Sequence, residues 1–478
     1  MTQEPIQVDL NNKTLKLIGT LADSLGVDAY VVGGYVRDYY LRRSLTDIDV
    51  VVVGSGIELA KALGKTLKRR VSVFENFGTA MVRTEEDGEI EFVGARKESY
   101  RADSRKPIVE NGTLEEDQRR RDFTINAMAF SLNSATYGTL LDPFEGMEDM
   151  EAQLIRTPLD PDTTFSDDPL RMLRAVRFAT QLHFNIWEET FEAISRNCYR
   201  LWETTSRERV TGEFIKIMKS DNPARGIELL DKSGLLQEIF PELCALKGVE
   251  RVGIHAHKDN FEHTLQVLEN VAKRSDNLYL RYAALLHDIG KARTKRYDSR
   301  LGWTFHAHEV IGSRMAVDIF REHKLPMGAE LKYVQKLISL HLRPIILSED
   351  IVTDSAVRRL LFEAGDDVDD LMLLCEADIT SKNDAKVQKY LKNFQIVRSK
   401  LVEIEEKDRV RNFQPPIDGA LVMKVYDLEP CSVIGEMKTI IKDAILEGEI
   451  PNEYEAAYAL MEKLAEERGL KKRVTPLK

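Results

Sequence analysis

The stretch VVGGYVRDYYLRRSLTDIDV, from Val31 to Val50, places a glycine pair at a fixed distance ahead of two alternating carboxylates. The apolar runs at its ends, Ala29–Val32 and Ile48–Val53, read as buried strands with an amphipathic segment between them. Gly33 and Gly34 let the backbone approach a phosphate closely and leave amide hydrogens to bind it. Arg37 stands between the glycines and the acids, where it meets phosphate charge. Asp47 and Asp49 are one residue apart in an extended segment, so both side chains project to one face. Carboxylates held that close repel each other, and a hard divalent cation such as Mg²⁺ relieves the repulsion. A phosphate cradle beside paired aspartates is the equipment of nucleotidyl transfer. A tight turn and an acidic strand end explain either half alone; they do not explain the combination.

A chain of 478 residues is long enough for several domains. Hydrophobic content of 43% and charged content of 31% describe an ordinary soluble globular protein. The net charge of −11 argues against indiscriminate nucleic-acid binding over the whole surface. Local clusters, Lys68-Arg69-Arg70 and Arg119-Arg120-Arg121, still suffice to hold an RNA backbone, although a solvated helix face explains each cluster as well. The start, MTQEPIQVDLNNK, lacks a basic-then-apolar signal pattern, and no apolar run reaches membrane-spanning length. Cys198, Cys244, Cys375 and Cys431 are scattered without a CxxC pair, which disfavours disulfides and a cysteine zinc knuckle. The expected location is the cytoplasm, with no membrane partner.

Up to about residue 150 the chain alternates strand and helix patterns, with strands expected at Ala29–Val32, Ile48–Val53, Ser72–Glu75, Thr79–Arg83 and Ile90–Val93. Beyond Glu151 the strand signals almost vanish and helix follows helix, with breaks at Asn222-Pro223 and Pro241. A histidine-rich region closes near Leu401, and RNFQPPIDG, Arg411 to Gly419, supplies a turn-rich joint before a last helical segment. The expected domains are 1–150, 151–250, 251–405 and 406–478: an α/β head, a helical neck and body, a histidine-rich domain and a helical tail.

Two further clusters belong with the opening motif. Glu91, in EIEFV, approaches the aspartates if its strand pairs beside Ile48–Val50. RRRDFTINAMAF sets Arg121 and Asp122 at the polar entry of an apolar run, placed to meet phosphate and ribose hydroxyls. In SDDPLRMLRAVRF, Pro169 sits where a helix begins, with Ser166, Asp167 and Asp168 available as caps. Asp168, Arg171 and Arg174 are spaced by three, with Arg177 continuing the row on one helical face. A surface ion-pair ladder explains the row, at only about 0–1 kcal/mol per exposed pair. A base-reading edge also explains it. A carboxylate accepts from an exocyclic amine while a guanidinium donates to a ring acceptor, which admits cytosine and adenine and rejects guanine and uracil.

GGYVRD, DID, RRDFTINAMA, DPFEGMEDM and DDPLRMLRAVRF, in this order, resemble the motif series of class II tRNA nucleotidyltransferases, the CCA-adding enzymes grouped with bacterial poly(A) polymerases. The resemblance covers about the first half of the chain. It implies a polymerase-β-like mixed-sheet head followed by all-helical neck, body and tail. It also implies that Asp47 and Asp49 bind catalytic Mg²⁺; the strand pattern alone adds Glu91 as a candidate third acid. Gly34, Arg37 and Arg121 would contact the phosphates or sugar of CTP and ATP, and Asp168 and Arg171 would read the base, supported by Arg174 and Arg177. The family shows Glu-Asp at the base-reading position where this chain has Asp167-Asp168; the shortened acid falls on the flanking residue, so base reading is expected to survive. The implied reaction is attack of an RNA 3′-hydroxyl on the α-phosphate with release of pyrophosphate, served by two metals.

Eight of the nine histidines lie between Ile254 and Asp378. His263, His287-Asp288, His308, His341 and Asp378 form an ordered set on helical segments, and imidazoles with carboxylates suit Mn²⁺, Fe²⁺, Ni²⁺ or Zn²⁺. The set resembles an HD-domain metal-dependent phosphohydrolase. A retained fold that binds metal poorly and serves RNA as a scaffold is the other explanation. His255, His257, His306 and His323 are expected at the surface or behind the ligands. The tail, with Pro430-Cys431-Ser432-Val433-Ile434-Gly435, is compatible with tRNA contact.

The reading as a whole is a CCA-adding or CCA-repairing enzyme acting on tRNA, with an HD domain attached. A CC-adding or A-adding enzyme and a poly(A) polymerase share these motifs. The full-length segment SYRADSRKPIVENGTLEED favours a loop able to switch specificity. A phosphohydrolase with a nucleotide-sensing head is the rival of a different class.

Overall fold

The computed structural model describes residues 6–45, 47–101, 104–249, 251–252, 255–256, 259–349, 353–380, 383–408 and 415–473. Residues 102–103 of the expected specificity loop, His257, and residues 411–414 of the expected joint lie outside the described residues. The chain divides into two compact units, Met1–Pro241 and Glu242–Lys478. The division falls ahead of the expected boundary at 250–251, and the one expected at 405–406 falls inside the single helix Asp384–Asp408.

Besides a two-residue parallel pair, Leu154–Ile155 with Asn185–Ile186, the strands of the first unit are, in chain order, β1 (Asp28–Val32), β2 (Ile48–Val53), β3 (Val71–Phe74), β4 (Thr79–Thr84), β5 (Gly88–Gly94), β6 (Arg96–Arg101), β7 (Ser104–Asn111), β8 (Ala129–Ser131) and β9 (Leu140–Leu141). They form a seven-stranded mixed sheet in the order β3-β4-β5-β2-β1-β8-β9, with β6 and β7 as a separate hairpin. Val31, Val32, Val50, Val51 and Val52 are fully buried, so β1 and β2 are apolar on both faces. At about 1.5–3 kcal/mol per buried side chain they hold the register firmly, because a one-residue slip reverses every side chain. The register sets Val32 opposite Asp49 across the antiparallel β1–β2 pair. It sets Asp49 opposite Glu91 across the parallel β2–β5 pair. The pairing on which the Glu91 expectation depended is therefore present.

The helices of this unit are α1 (Lys13–Leu25), α2 (Gly34–Tyr40), α3 (Gly56–Leu67), α4 (Leu114–Arg119), α5 (Gly146–Glu151), α6 (Pro161–Asp167) and α7 (Leu170–Leu182). Helices Glu188–Asn197, Arg207–Met218, Pro223–Lys232 and Leu235–Ile239 follow, with Asn222 capping and Pro223 opening the third of these. One expectation is corrected here. Ser166 and Asp167 end α6, and Asp168 is extended at φ −143°, so Asp168 precedes α7 instead of lying on its face. The cause is the Asp-Asp-Pro sequence: a residue before proline is pushed out of the helical region. Asp168 still caps α7, accepting the Leu170 N–H at 3.1 Å.

The second unit is helical apart from short two- and three-residue strand pairs such as Arg296–Asp298 with Gly302–Thr304. Its central helix, Leu278–Leu286, buries Leu280, Ala283, Ala284, Leu285 and Leu286 completely. It ends at His287, and the chain turns through Asp288 to the short helix Lys291–Thr294. Gly290 in that turn has an ordinary helical φ of −66°. Glycine is needed there for space: an added Cβ would lie 2.1 Å from the His308 carbonyl oxygen and 2.8 Å from the Gly312 nitrogen. Gly290→Ala should therefore destabilise this unit by about 1–3 kcal/mol in differential scanning calorimetry. Gly212→Ala, inside a helix with nothing within 4 Å of the added Cβ, should stabilise its unit by about 0.5–1 kcal/mol.

Candidate active sites

At the end of β1 the chain turns through Gly33, whose φ of +71° only glycine adopts easily. A Cβ there would also stand 2.9 Å from Arg121 Nη1. The Gly33 N–H donates to the Met128 carbonyl at 3.0 Å, so of the two glycine amides expected to serve a phosphate, this one is engaged. Gly34 opens α2, and α2 presents Arg37. Arg37 Nη1 donates to Asn126 Oδ1 at 2.7 Å, and its Nε and Nη2 donate to Asp38 at 2.9 and 2.8 Å.

Asp49 is half-buried, while Asp47 and Glu91 are exposed. Burial pushes the Asp49 carboxyl above its ordinary range; Arg121 opposes that, and the charges of Glu91 and Asp47 add to it. Strand register sets Asp49 beside Glu91, and Asp47 stands just ahead of β2 with its charge acting on Asp49; the three do not close on one another as the ligand atoms of the second unit do. An all-oxygen donor set with mutual repulsion fits Mg²⁺.

Behind these acids lies a guanidinium network that the sequence showed only in part. Buried Asp117 accepts from Arg120 at 2.7 Å and Arg121 at 3.2 Å. Asp122, expected at a polar entry, is only 7% exposed, and both of its carboxylate oxygens are engaged within the protein. Its Oδ1 accepts from the Phe123 N–H and Asn126 Nδ2, and its Oδ2 accepts from Arg174 Nε at 2.7 Å. Burial works to raise the Asp122 pKa, but Arg174 and Asn126 outweigh it and hold the carboxyl below its usual range. Arg171 donates to the carbonyls of Arg120 at 2.6 Å and Thr164 at 3.3 Å. Arg177 donates to Glu213 at 2.5 Å and Gln181 at 3.0 Å. Asp168 Oδ2 accepts from Arg209 at 2.8 Å. The expected row thus fans out to separate partners and is no surface ladder. Phe178 had no assigned role, yet Arg37, Arg174 and Arg177 stand 5.1, 5.4 and 3.8 Å from its ring centre. Asn126, which bridges Arg37 to Asp122, was also missed.

All six expected residues of the histidine set converge. His263 lies in helix Asn260–Ala272, His308 opens His308–Glu322, and His287, His341 and Asp378 each cap the C-terminal end of a helix. Two triads emerge, His263–His287–Asp378 and Asp288–His308–His341, with the ligand atoms of each within 4.8 Å of one another. Asp288 faces both: Oδ2 is 3.3 Å from His287 Nε2 and 3.5 Å from His263 Nε2, and Oδ1 is 3.3 Å from His308 Nε2. The Nε2 atoms of His287 and His308 are buried without a hydrogen-bond partner. Imidazole lone pairs aimed at carboxylates fit divalent transition metals. Burial lowers the His287 pKa, but Asp288 and Asp378 overcome that and raise it to about 9. Burial and the His287 charge drive His341 down to about 4. Lys291, absent from the sequence reading, donates to Asp288 Oδ2 at 2.6 Å; its spacing of three from Asp288 was the available signal. Among the described residues no helix is long and apolar enough to cross a membrane.

A mixed-sheet head with Asp49 set against Glu91, joined to an arginine-bearing helix, defines the polymerase-β-like nucleotidyltransferase class. Residues 29–156 match the poly A polymerase head domain, residues 183–247 a probable RNA- and SrmB-binding site of polymerase A, and residues 260–383 the HD domain. A Multifunctional CCA protein of Shewanella frigidimarina is 34% identical over 379 residues, 76% of this chain and 86% of its own. An A-adding tRNA nucleotidyltransferase of Deinococcus radiodurans is 32% identical over 369 residues, 74% of this chain and 80% of its own. A solved tRNA nucleotidyltransferase, complexed with a primer tRNA and an incoming ATP analogue, is 28% identical with a TM-score of 0.58, covering 80% of this chain and 98% of that one. The chain belongs to the tRNA nucleotidyltransferase and poly(A) polymerase family and carries an HD domain.

The Asp122–Arg174 link has a measurable consequence. A carboxylate with a depressed pKa contributes stability above its unfolded value, near 3.9, and loses it as pH falls through the folded value. Asp122→Asn should cost about 3 kcal/mol at pH 7, since it leaves a guanidinium without its charge partner. Chemical denaturation between pH 7 and pH 3 should show the difference from wild type shrinking below about pH 4.

Proposed function

We propose that this enzyme adds or repairs the 3′-terminal CCA of tRNA from CTP and ATP in the cytoplasm, by two-metal nucleotidyl transfer in the head. The observation that carries the reading is the strand register that sets Asp49 beside Glu91, next to the Gly33 turn. Asp47, Asp49 and Glu91 would hold Mg²⁺, which lowers the pKa of an RNA 3′-hydroxyl and neutralises the pyrophosphate leaving group. Gly34, Arg37 and Arg121 receive the nucleotide's phosphates and sugar, with the Gly33 turn bringing the backbone close. Asp168 accepts from the exocyclic amine of cytosine or adenine while Arg171 donates to the ring acceptor. Asp122 acts through Arg174, and Arg177 with Phe178 holds the same layer of charge in place. The domain division proposed is a head to about residue 150, a neck and body to about 250, an HD domain and a tail.

The HD domain is proposed as a phosphohydrolase. Its triads would hold Mn²⁺, Ni²⁺, Fe²⁺ or Zn²⁺, which supply Lewis-acid activation of a phosphoester. A-only addition is the second reading of the head, favoured by the similarity to the A-adding Deinococcus enzyme.

Extension of tRNA transcripts ending before CCA, after C and after CC, with CTP, ATP or both, tests the proposal. Addition of C, C and then A is expected, with loss of at least 1,000-fold in Asp49→Ala, about 4 kcal/mol of barrier. Addition of A alone moves the assignment to an A-adding enzyme, and long A tails move it to a poly(A) polymerase. No extension, or extension that survives Asp49→Ala, overturns the head mechanism.

A further inference from the structure

The four histidines of the HD domain are not held alike. His287 Nδ1 faces the Ala284 carbonyl at 2.8 Å, His308 Nδ1 the Phe305 carbonyl at 2.9 Å, and His341 Nδ1 the Ile338 carbonyl at 2.7 Å. A carbonyl only accepts, so each of these rings carries its hydrogen on Nδ1 and, when neutral, offers the Nε2 lone pair to a cation. His263 is the exception: its Nδ1 meets the Thr380 hydroxyl at 2.8 Å. Its Nε2 lies 2.8 Å from Asp378 Oδ1. A carboxylate also only accepts, so Nε2 carries the hydrogen in this arrangement, and a neutral ring must then accept the Thr380 O–H at Nδ1. To ligate a cation, Nε2 must give up that hydrogen and the ring must carry it on Nδ1. A carbonyl at Nδ1 would disfavour the first arrangement, and an apolar group would support neither. A hydroxyl supports both by rotating about its C–O bond.

We infer that Thr380 is a positioning residue that switches His263 between bonding Asp378 and ligating a cation, which makes the two triads unequal. The inference rests on the two-metal reading of this domain. In the Asp288–His308–His341 triad both imidazoles are set by backbone carbonyls, whereas in the His263–His287–Asp378 triad one of the two imidazoles, His263, depends on a side-chain hydroxyl. The segment carrying Thr380 is held by the helix of His263 and the turn that follows it. Asn270 Nδ2 donates to the Ala377 carbonyl at 2.9 Å, and Arg274 pairs with Glu376 at 2.7 Å. Thr380→Val, close in shape, therefore removes the hydroxyl with little other change.

Calorimetric titration of untagged, chelator-stripped full-length protein with Ni²⁺ tests this, because Ni²⁺ prefers the imidazole sites to the all-carboxylate head. Wild type should take up two equivalents and His308→Ala one. Thr380→Val should keep one equivalent at wild-type affinity and bind the second about 10–100-fold more weakly. Thr380→Ser should restore both. Two wild-type affinities in Thr380→Val, or equal weakening of both sites, overturns the inference. Uptake of fewer than two equivalents by wild type overturns the two-metal reading beneath it, which the Thr380 variants alone would not reveal.

Discussion

Everything in the head depends on the parallel pairing of β2 with β5. Burial of the valines around Asp49 fixes that register, and the register then sets the Asp49 and Glu91 carboxylates side by side at the end of the apolar strand β2. The desolvation that stabilises the sheet is the same physical cause that raises the Asp49 pKa. A site that is costly for bare charge is one that binds a counter-charge strongly.

Guanidinium groups held in fixed positions surround this site. Arg121, Arg174 and Arg177 each pair with a buried acid, Asp117, Asp122 or Glu213 respectively. Removing either partner strands a charge, so these pairs maintain geometry more than they add net stability. Phe178 collects Arg37 from α2 and Arg174 and Arg177 from α7 around one ring, which joins the helix proposed to receive phosphates to the helix proposed to read the base.

Much of this was legible in the sequence. The strands at Ala29–Val32 and Ile48–Val53 announce themselves because a strand buried on both faces is a continuous β-branched run. The histidine set was legible because imidazoles on helical segments are few and ordered. Asp168 was misplaced because three-residue spacing was read through a proline boundary, where the helical rise no longer applies. The burial of Asp122 is not legible in the sequence because the guanidinium that engages it, Arg174, lies fifty-two residues away. Strands β6 and β7 carry polar residues with no alternation, and β8 sits in a uniformly buried run, so neither offers a period of two. Lys291 and Thr380 act through other side chains, and such roles have no pattern of their own.

The HD domain uses the ends of its helices where the head uses strand register. His287, His341 and Asp378 all occupy C-terminal caps, where the chain leaves the helix and side chains can turn toward a common point. The central claim concerns the head, that its acids present a cation to the α-phosphate of the incoming nucleotide. The most direct test is single-turnover extension with CTP carrying sulfur on one α-phosphate oxygen, in Mg²⁺ and then with Mn²⁺ added. The account predicts a slow reaction in Mg²⁺ for one diastereomer and recovery in Mn²⁺, because the softer ion accepts sulfur. Equal rates for both diastereomers in both metals would contradict it.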